Sequence, residues 1–455
     1  MNQPQTIDVQ AFIDARRMST FQWSILVFCF IVLALDGLDT ASIGFVAPML
    51  IKEWGIARAD LSPILSASLV GLALGALAAG PLADRFGRRK MIVSAVLVFG
   101  VCSLACSWAD SVLQLTVLRW LTGLGLGAAM PNAVTLLAEY APARHRSLLV
   151  TTMFCGFTLG SAGGGLLSAI LIPAFGWRSV MAVGGVLPLL LFPLLLWYLP
   201  ESIRFKVMRR HPSDEIAALM SRIGGKPLPA SAVFVQPQEE QRAGSPVALL
   251  FAPRYGAGTL LLWLTAFMGM LIIYLLGSWM PTLIKDAGFP IERAALVTAL
   301  FQLGGTAGSI CVGWGMDRIG RHKSIALSYV FGAACIYGVG RIYADLVLLG
   351  ACVFSAGFFM SGSQTGMNAL AAAFYPTSGR ATGVSWMLAV ARLGAILGAV
   401  AGGNMLAAGW GLSGIFSVLA LPALVAAVAI AVKGGLRPAA VEGAPMDRGQ
   451  TLAGH

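Results

Sequence analysis

The sequence predicts an all-α polytopic membrane protein with twelve transmembrane helices in two pseudo-symmetric six-helix bundles. Three observations carry this. Of 455 residues, 57% are hydrophobic and only 11% charged, against roughly 25% charged in a soluble domain. Apolar runs recur along the whole chain, many near the roughly 20 residues that cross about 30 Å of hydrocarbon as a helix. The stretch GPLADRFGRRKMI (80–92) returns half a chain later as GWGMDRIGRHKSI (313–325), matching at seven of thirteen positions without a gap.

Taken in order, the candidate spans fall at about 22–45, 61–82, 91–108, 112–136, 148–173, 177–199, 256–282, 293–315, 323–341, 344–368, 381–406 and 409–432. The first twenty residues are polar and the first apolar run ends without a small-residue cleavage site, so the first span is expected to remain as a helix. Between spans six and seven the composition turns polar and Pro-rich (KPLPASAVFVQPQEEQRAGSP), which reads as a linker. The expected organisation is an N-terminal segment 1–21, a first bundle 22–199, a linker 200–255, a second bundle 256–432 and a tail 433–455. Six plus six helices in parallel repeats place a binding site at mid-membrane, where the halves meet.

The net charge of +11 is explained by topology. Arg16, Arg17, the cluster Arg85, Arg88, Arg89 and Lys90, then Arg144, Arg146, the 200–255 loop, Arg318, Arg321, Lys323, Arg380, Lys433, Arg437 and Arg448 all fall on one side. The other side receives Lys52, Arg58, Arg178, Lys285, Arg293 and Arg341. The positive-inside rule then puts both termini in the cytoplasm. Nucleic-acid binding does not account for this alternation and is not expected. Seven cysteines lie scattered in apolar segments without a C-x-x-C and read as small hydrophobes. No metal site and no cofactor is expected.

In the duplicated loops, Gly87 and Gly320 permit a tight reversal, and Asp84 and Asp317 can cap or pair with neighbouring helix ends and basic side chains. Together with Arg85, Arg88, Arg318 and Arg321 these loops read both as topogenic turns and as latches of one gating state. A D-R-x-G-R loop with a half-chain copy resembles the major facilitator superfamily. Within it, D-G-L-D-T in span one, L-P-E-S (199–202), S-W-M-P-T-L (278–283) and Y-P-T-S-G-R-A-T-G-V-S-W (375–386) are similar to the aromatic acid:proton symporters, nearest the 4-hydroxybenzoate/protocatechuate transporters. The resemblance runs from residue 7 to about residue 435. One departure is Ala391, where that family usually carries Gly before the arginine of span eleven. The resemblance implies a multi-pass carrier in a cell inner membrane that imports small aromatic carboxylates with protons and works as a monomer. Export, another organic anion, or a coexisting chemotaxis role remain open alternatives.

Independently of any family, an ionisable residue deep in a span marks a functional site by default, at about 2.5–3.5 kcal/mol each on insertion scales. The deep ones are Asp36 and Asp39 in span one, Arg119 in span four and Arg392 in span eleven. At 1.5 Å per residue from the cytoplasmic end they lie at about 21, 25, 25 and 17 Å, within reach of one central cavity. Asp36 and Asp39, at i and i+3, share a helix face. Two carboxylates beside a partly dry cavity do not both ionise cheaply, the property a proton carrier needs. The alternative is that Asp39 only neutralises Arg119. Arg392 is the first choice for a substrate carboxylate because a guanidinium binds one in bidentate fashion, with Arg119 as second choice; a helix–helix tie is the alternative. Glu139 and Arg380, at equivalent span ends of the two halves, read as residues of inner-gate salt bridges rather than as substrate ligands. Gln364 and Asn368 are candidates for substrate contact, Gln364 with a ring hydroxyl. Tyr274, Trp279, Phe301 and Trp386 are candidate aromatic walls. Gly123, Gly125 and Gly127 point to close packing of span four.

The four histidines fall in predicted loops or the tail and no G-x-x-x-x-G-K-[ST] motif occurs, which disfavours a membrane enzyme and a primary pump. One proton with one monoanion carries no net charge, whereas a second proton would couple the membrane potential at about 2.3 kcal/mol per 100 mV. Two aspartates permit either count.

Overall fold

The computed structural model describes residues 6–225, 227–229, 232–235, 246–342, 345–375 and 380–435. A short strand β1 (Thr6–Asp8) and helix α1 (Val9–Asp14) precede the first span. Ser19 then opens the longest helix through a reciprocal capping box: its hydroxyl accepts from the Gln22 N–H, while the Gln22 side chain accepts from the Ser19 N–H. That helix, α2 (Thr20–Trp54), runs nine residues past the expected end at 45, through Pro48, and stops at Gly55 in the left-handed conformation. The first bundle continues with α3 (Leu61–Phe86), α4 (Arg88–Cys106), α5 (Val112–Tyr140), α6 (Arg146–Phe175) and α7 (Trp177–Tyr198). Next come α8 (Ile203–Met208), α9 (Ser213–Gly224), β2 (Val233–Val235) and α10 (Pro246–Leu250). The second bundle is α11 (Gly256–Asp286), α12 (Ile291–Ile319), α13 (Arg321–Val339), α14 (Leu346–Phe374), α15 (Arg380–Ala407) and α16 (Leu412–Gly435).

Among the described residues, eleven of these helices are long and apolar enough to cross a membrane. The twelfth long helix, α13, is 19 residues and opens on Arg321, His322 and Lys323, which dilutes its apolar stretch. His322 thus lies in the first turn of a helix and not in a loop.

Within the first bundle α3 packs on α5 and α2 on α6; within the second α12 packs on α14 and α11 on α15, each pair repeating its counterpart. The glycines of span four serve the expected close packing. A Cβ at Gly123 would stand 2.1 Å from the Ser68 carbonyl oxygen, so the α3 and α5 backbones touch there.

The segment 200–255 is more than a linker. Strand β2 pairs in parallel with β1, Ile7 opposite Phe234. Helix α9 buries Ile216, Met220 and Ile223 against Val9, Ile13 and the adjoining end of the first bundle. The Arg222 guanidinium lies 3.9 Å from the Phe21 ring centroid, and the Asp14 carboxylate accepts from the Ala143 N–H at 2.7 Å. The start of the chain and the segment after span six therefore form one platform under the first bundle.

For reference, the face bearing the Arg-rich turns is called the basic face and the opposite one the far face. At the far face Arg58 pairs with Asp286 at 2.8 Å, and the Lys285 ammonium donates to the Pro48 carbonyl at 3.1 Å. At mid-depth the Thr306 hydroxyl donates to Thr158 at 2.6 Å. These ties join the bundles at the middle and far end of the helices.

Candidate functional site

The two aspartates of α2 have different surroundings. Asp39 points into its own bundle, where Arg119 of α5 donates to its Oδ2 at 2.8 Å and to its backbone carbonyl at 3.4 Å. Ser103 of α4 donates to its Oδ1 at 2.5 Å. Both residues of this ion pair are 0% exposed. The charge of Arg119 is compensated by Asp39 inside the first bundle, both carboxylate oxygens of Asp39 being bonded, while the buried Arg119 Nε has no hydrogen-bond partner among the described residues. Of the two readings of Asp39, a shared proton site with Asp36 and a partner that neutralises Arg119, this geometry matches the second.

Asp36 is 1% exposed. Thr40, one turn along, donates to its Oδ1 at 3.1 Å, while Oδ2 is buried with no hydrogen-bond partner among the described residues. It lies within electrostatic reach of Asp39 and of Arg392, which comes from α15 in the other bundle. The Tyr274 phenol of α11 is within reach of both Asp36 and Arg392. Arg392 is half-buried and donates to the Leu72 carbonyl of α3 at 3.5 Å. No salt bridge binds Asp36 or Arg392 among the described residues, so each bundle presents one uncommitted charge, of opposite sign, at the seam. A buried carboxylate oxygen without a partner calls for a proton or a cation.

Other expected site residues fall elsewhere. Phe301 and Trp279 are fully buried in the packed interior, and the Trp279 indole donates to the Ala399 carbonyl at 2.7 Å. Neither exposes surface to a ligand in this conformation. Trp386 stacks on Trp263 at 5.8 Å, six residues from Arg392 toward the basic face. Gln364 turns into its own bundle, where its Oε1 accepts from the Tyr329 hydroxyl at 3.3 Å; its Nε2 has no partner among the described residues. Asn368 is exposed.

At the basic face Glu139 meets Arg88 at 3.3 Å and accepts from the Ser202 hydroxyl. This ties α4 and α5 to the start of α8; the Arg380 side chain, the other residue read as part of an inner gate, lies outside the described residues. Arg85 lies over Phe86 and Arg318 over Trp314, at 5.3 and 4.5 Å. Asp84 is exposed, and its carbonyl accepts from Arg209 at 3.1 Å. Asp317 and Arg321 flank Gly320 at the corresponding turn. Gly87 and Gly320 take φ of 96° and 103°, as a reversal without Cβ allows.

Glu201 seals the first of these turns, accepting from the Arg89 N–H at 3.0 Å. A Cβ on Gly87 would stand 2.3 Å from the Glu201 Oε2. Gly87→Ala is therefore expected to lower stability by about 1–3 kcal/mol, read as a fall in melting temperature of the purified protein. An unchanged melting temperature would show that the turn relaxes freely.

Sequence reasoning missed Thr40, Ser103, Lys285 and the Arg58–Asp286 pair as members of the charge system and its far-face seal. Thr40 was legible as the i+4 neighbour of Asp36; the others required the packing of distant helices.

Two bundles with one uncommitted charge each at their seam define a membrane carrier rather than a catalyst. Residues 29–342 and 262–450 match the family model of the Major Facilitator Superfamily, and the chain belongs to that superfamily. It is 51% identical over 440 residues to the 4-hydroxybenzoate transporter PcaK of Pseudomonas putida, covering 95% of this chain and 98% of that protein. It is 51% identical over 431 residues to a gallate transporter of the same species, covering 95% and 96%. Among solved structures, the partially occluded inward-open xylose transporter XylE of E. coli aligns with a TM-score of 0.73 over 90% of this chain and 97% of its own, at 19% identity. That likeness concerns the fold alone.

Proposed function

We propose that the protein is a proton-coupled symporter that imports aromatic carboxylates such as 4-hydroxybenzoate and protocatechuate across the inner membrane by alternating access. The bundles 22–199 and 256–432 are the rocking units. The positive-inside rule assigns the basic face and both termini to the cytoplasm, which makes the Arg58–Asp286 side periplasmic. One chain supplies both charges of the site, so a monomer suffices.

The observation that carries this reading is the uncommitted pair Asp36 and Arg392, one from each bundle, beside the committed pair Asp39–Arg119. In the empty carrier the charges of Asp36 and Arg392 cancel. In the loaded carrier a proton neutralises Asp36 and the substrate carboxylate neutralises Arg392. Both forms cross neutral. A carrier with only the proton or only the anion holds one uncompensated buried charge, at about 3–5 kcal/mol, or roughly two to four orders of magnitude in rate. Coupling follows from charge balance, and with Asp39 held by Arg119 one carboxylate titrates per cycle.

Proteoliposomes with a pH gradient and radiolabelled 4-hydroxybenzoate test this. Acidic outside pH is expected to drive accumulation with no transport current on a solid-supported membrane, and Arg392→Ala is expected to cut uptake at least a hundredfold. A sustained inward positive current would require a second proton. Normal uptake by Arg392→Ala would remove that residue from the carboxylate site.

A further inference from the structure

Hydroxyl groups on transmembrane helices can bond the carbonyl one turn back and so cost little, but one group of them lies at the seam of the bundles. On α12, Thr306 bonds across to Thr158 of the first bundle. One turn nearer the basic face, the Ser309 hydroxyl meets that of Thr365 on α14 at 2.9 Å, and both are at least partly exposed. Asn368, three residues further along α14, is exposed as well. The exposed side chains Ile310 and Trp314 of α12 are apolar and suit lipid, whereas Thr306 turns to Thr158 of the first bundle and Ser309 lies about 140° around the helix from Trp314. Gly308 fixes the geometry of the pair: a Cβ there would stand 1.9 Å from the Phe358 carbonyl oxygen, so the α12 and α14 backbones are in contact beside it.

Depth connects this group to the charge site. At 1.5 Å per residue, Thr365 and Ser309 lie about 13 and 15 Å from the basic ends of their helices, and Arg392 about 18 Å from its own. The axial offset is less than the length of an aromatic acid. A carboxylate at the depth of Arg392 and a ring hydroxyl at the depth of the hydroxyl pair are thus compatible in one substrate.

Resting on the reading of the protein as an aromatic-acid carrier, we infer that the Ser309–Thr365 hydroxyl pair, with Asn368 beside it, is the subsite that reads the meta and para ring hydroxyls of the substrate. Its chemistry favours hydroxylated over plain benzoates, because each serine or threonine hydroxyl both donates and accepts. The discrimination is modest by construction. Ser309 also reaches the Gly305 carbonyl at 2.9 Å and Thr365 the Ser361 carbonyl at 3.1 Å. A substrate without hydroxyls therefore leaves no orphaned donor, and the strong rejection that unpaired buried groups would give is absent.

The test compares uptake of 4-hydroxybenzoate, protocatechuate and benzoate by wild type, Ser309→Ala/Thr365→Val and Thr365→Ser. The double variant is expected to raise KM for the two hydroxylated acids about three- to tenfold, the worth of one ordinary hydrogen bond, and to shift benzoate less than twofold. Thr365→Ser keeps the hydroxyl and is expected to keep the preference, which separates recognition from misfolding. Equal effects on all three acids, or none on any, would overturn the subsite. Wild-type protein that takes up none of them would sink the transport reading itself, a different outcome from a carrier whose preference ignores these hydroxyls.

Discussion

Asp36→Asn is expected to abolish accumulation of aromatic acid against its gradient, by at least a hundredfold, while exchange of internal for external acid survives. Asparagine imitates the protonated aspartic acid in shape and charge. The loaded carrier, with Arg392 opposite the substrate carboxylate, is then still neutral and still crosses. The empty carrier is not: Arg392 has lost the anion that cancels it, and returning with that charge buried costs about 3–5 kcal/mol. Net transport needs the empty return and exchange does not. Proteoliposomes preloaded with unlabelled acid measure exchange, and a pH jump on empty vesicles measures net uptake. Residual exchange should also lose its dependence on pH. If the variant still accumulates acid in response to a pH gradient, the proton rides elsewhere.

The second large effect concerns the neighbouring pair. Arg119→Gln is expected to destabilise the protein by about 3–5 kcal/mol, because it leaves Asp39 charged, buried and without its cation. Asp39→Asn should do comparable damage by stranding Arg119. The double change Asp39→Asn/Arg119→Gln removes both charges and keeps hydrogen-bonding groups at both positions, with Ser103 still at hand. It should recover most of the stability lost by either single change, read as melting temperature and membrane yield, and should retain proton-dependent uptake. A well-folded double variant that no longer couples to protons would return Asp39 to the proton path and break the division of labour between the two aspartates.

The fold was largely legible because membrane helices announce themselves. With no water to satisfy backbone groups in hydrocarbon, a spanning segment must be long, apolar and helical, and most expected spans end within a few residues of the observed helices. The main miss in length was α2. Its last turns, beyond residue 45, are tempered by Pro48, Lys52 and Glu53, although the helix continues to Trp54. The platform was missed because α9 was read as part of a polar stretch. Its signal was present in the apolar spacing of Ile216, Met220 and Ile223, the acidic first turn and the closing Gly225.

The site was legible in part for a different reason. Insertion cost makes Asp36, Asp39, Arg119 and Arg392 conspicuous in any hydropathy reading, but that cost says nothing about who partners whom. Asp36 and Asp39 differ by three positions, a rotation of about 60° around the helix, and this turn separates a satisfied ion pair from an uncommitted carboxylate. The same limit applies to Gln364, whose polarity suggested a ligand contact while its amide is turned to Tyr329. Serine and threonine pairs such as Ser309 and Thr365 cost little in a helix, so hydropathy passes over them.

The pairing of β1 with β2 bears on how the chain is made. Residues 6–8 are made before the first bundle, yet the strand they join is more than two hundred residues downstream. Its pairing cannot be completed until all six helices of the first bundle have been made and the following segment has emerged. Completion of the platform thus falls about half-way through synthesis, after the first bundle and before the second.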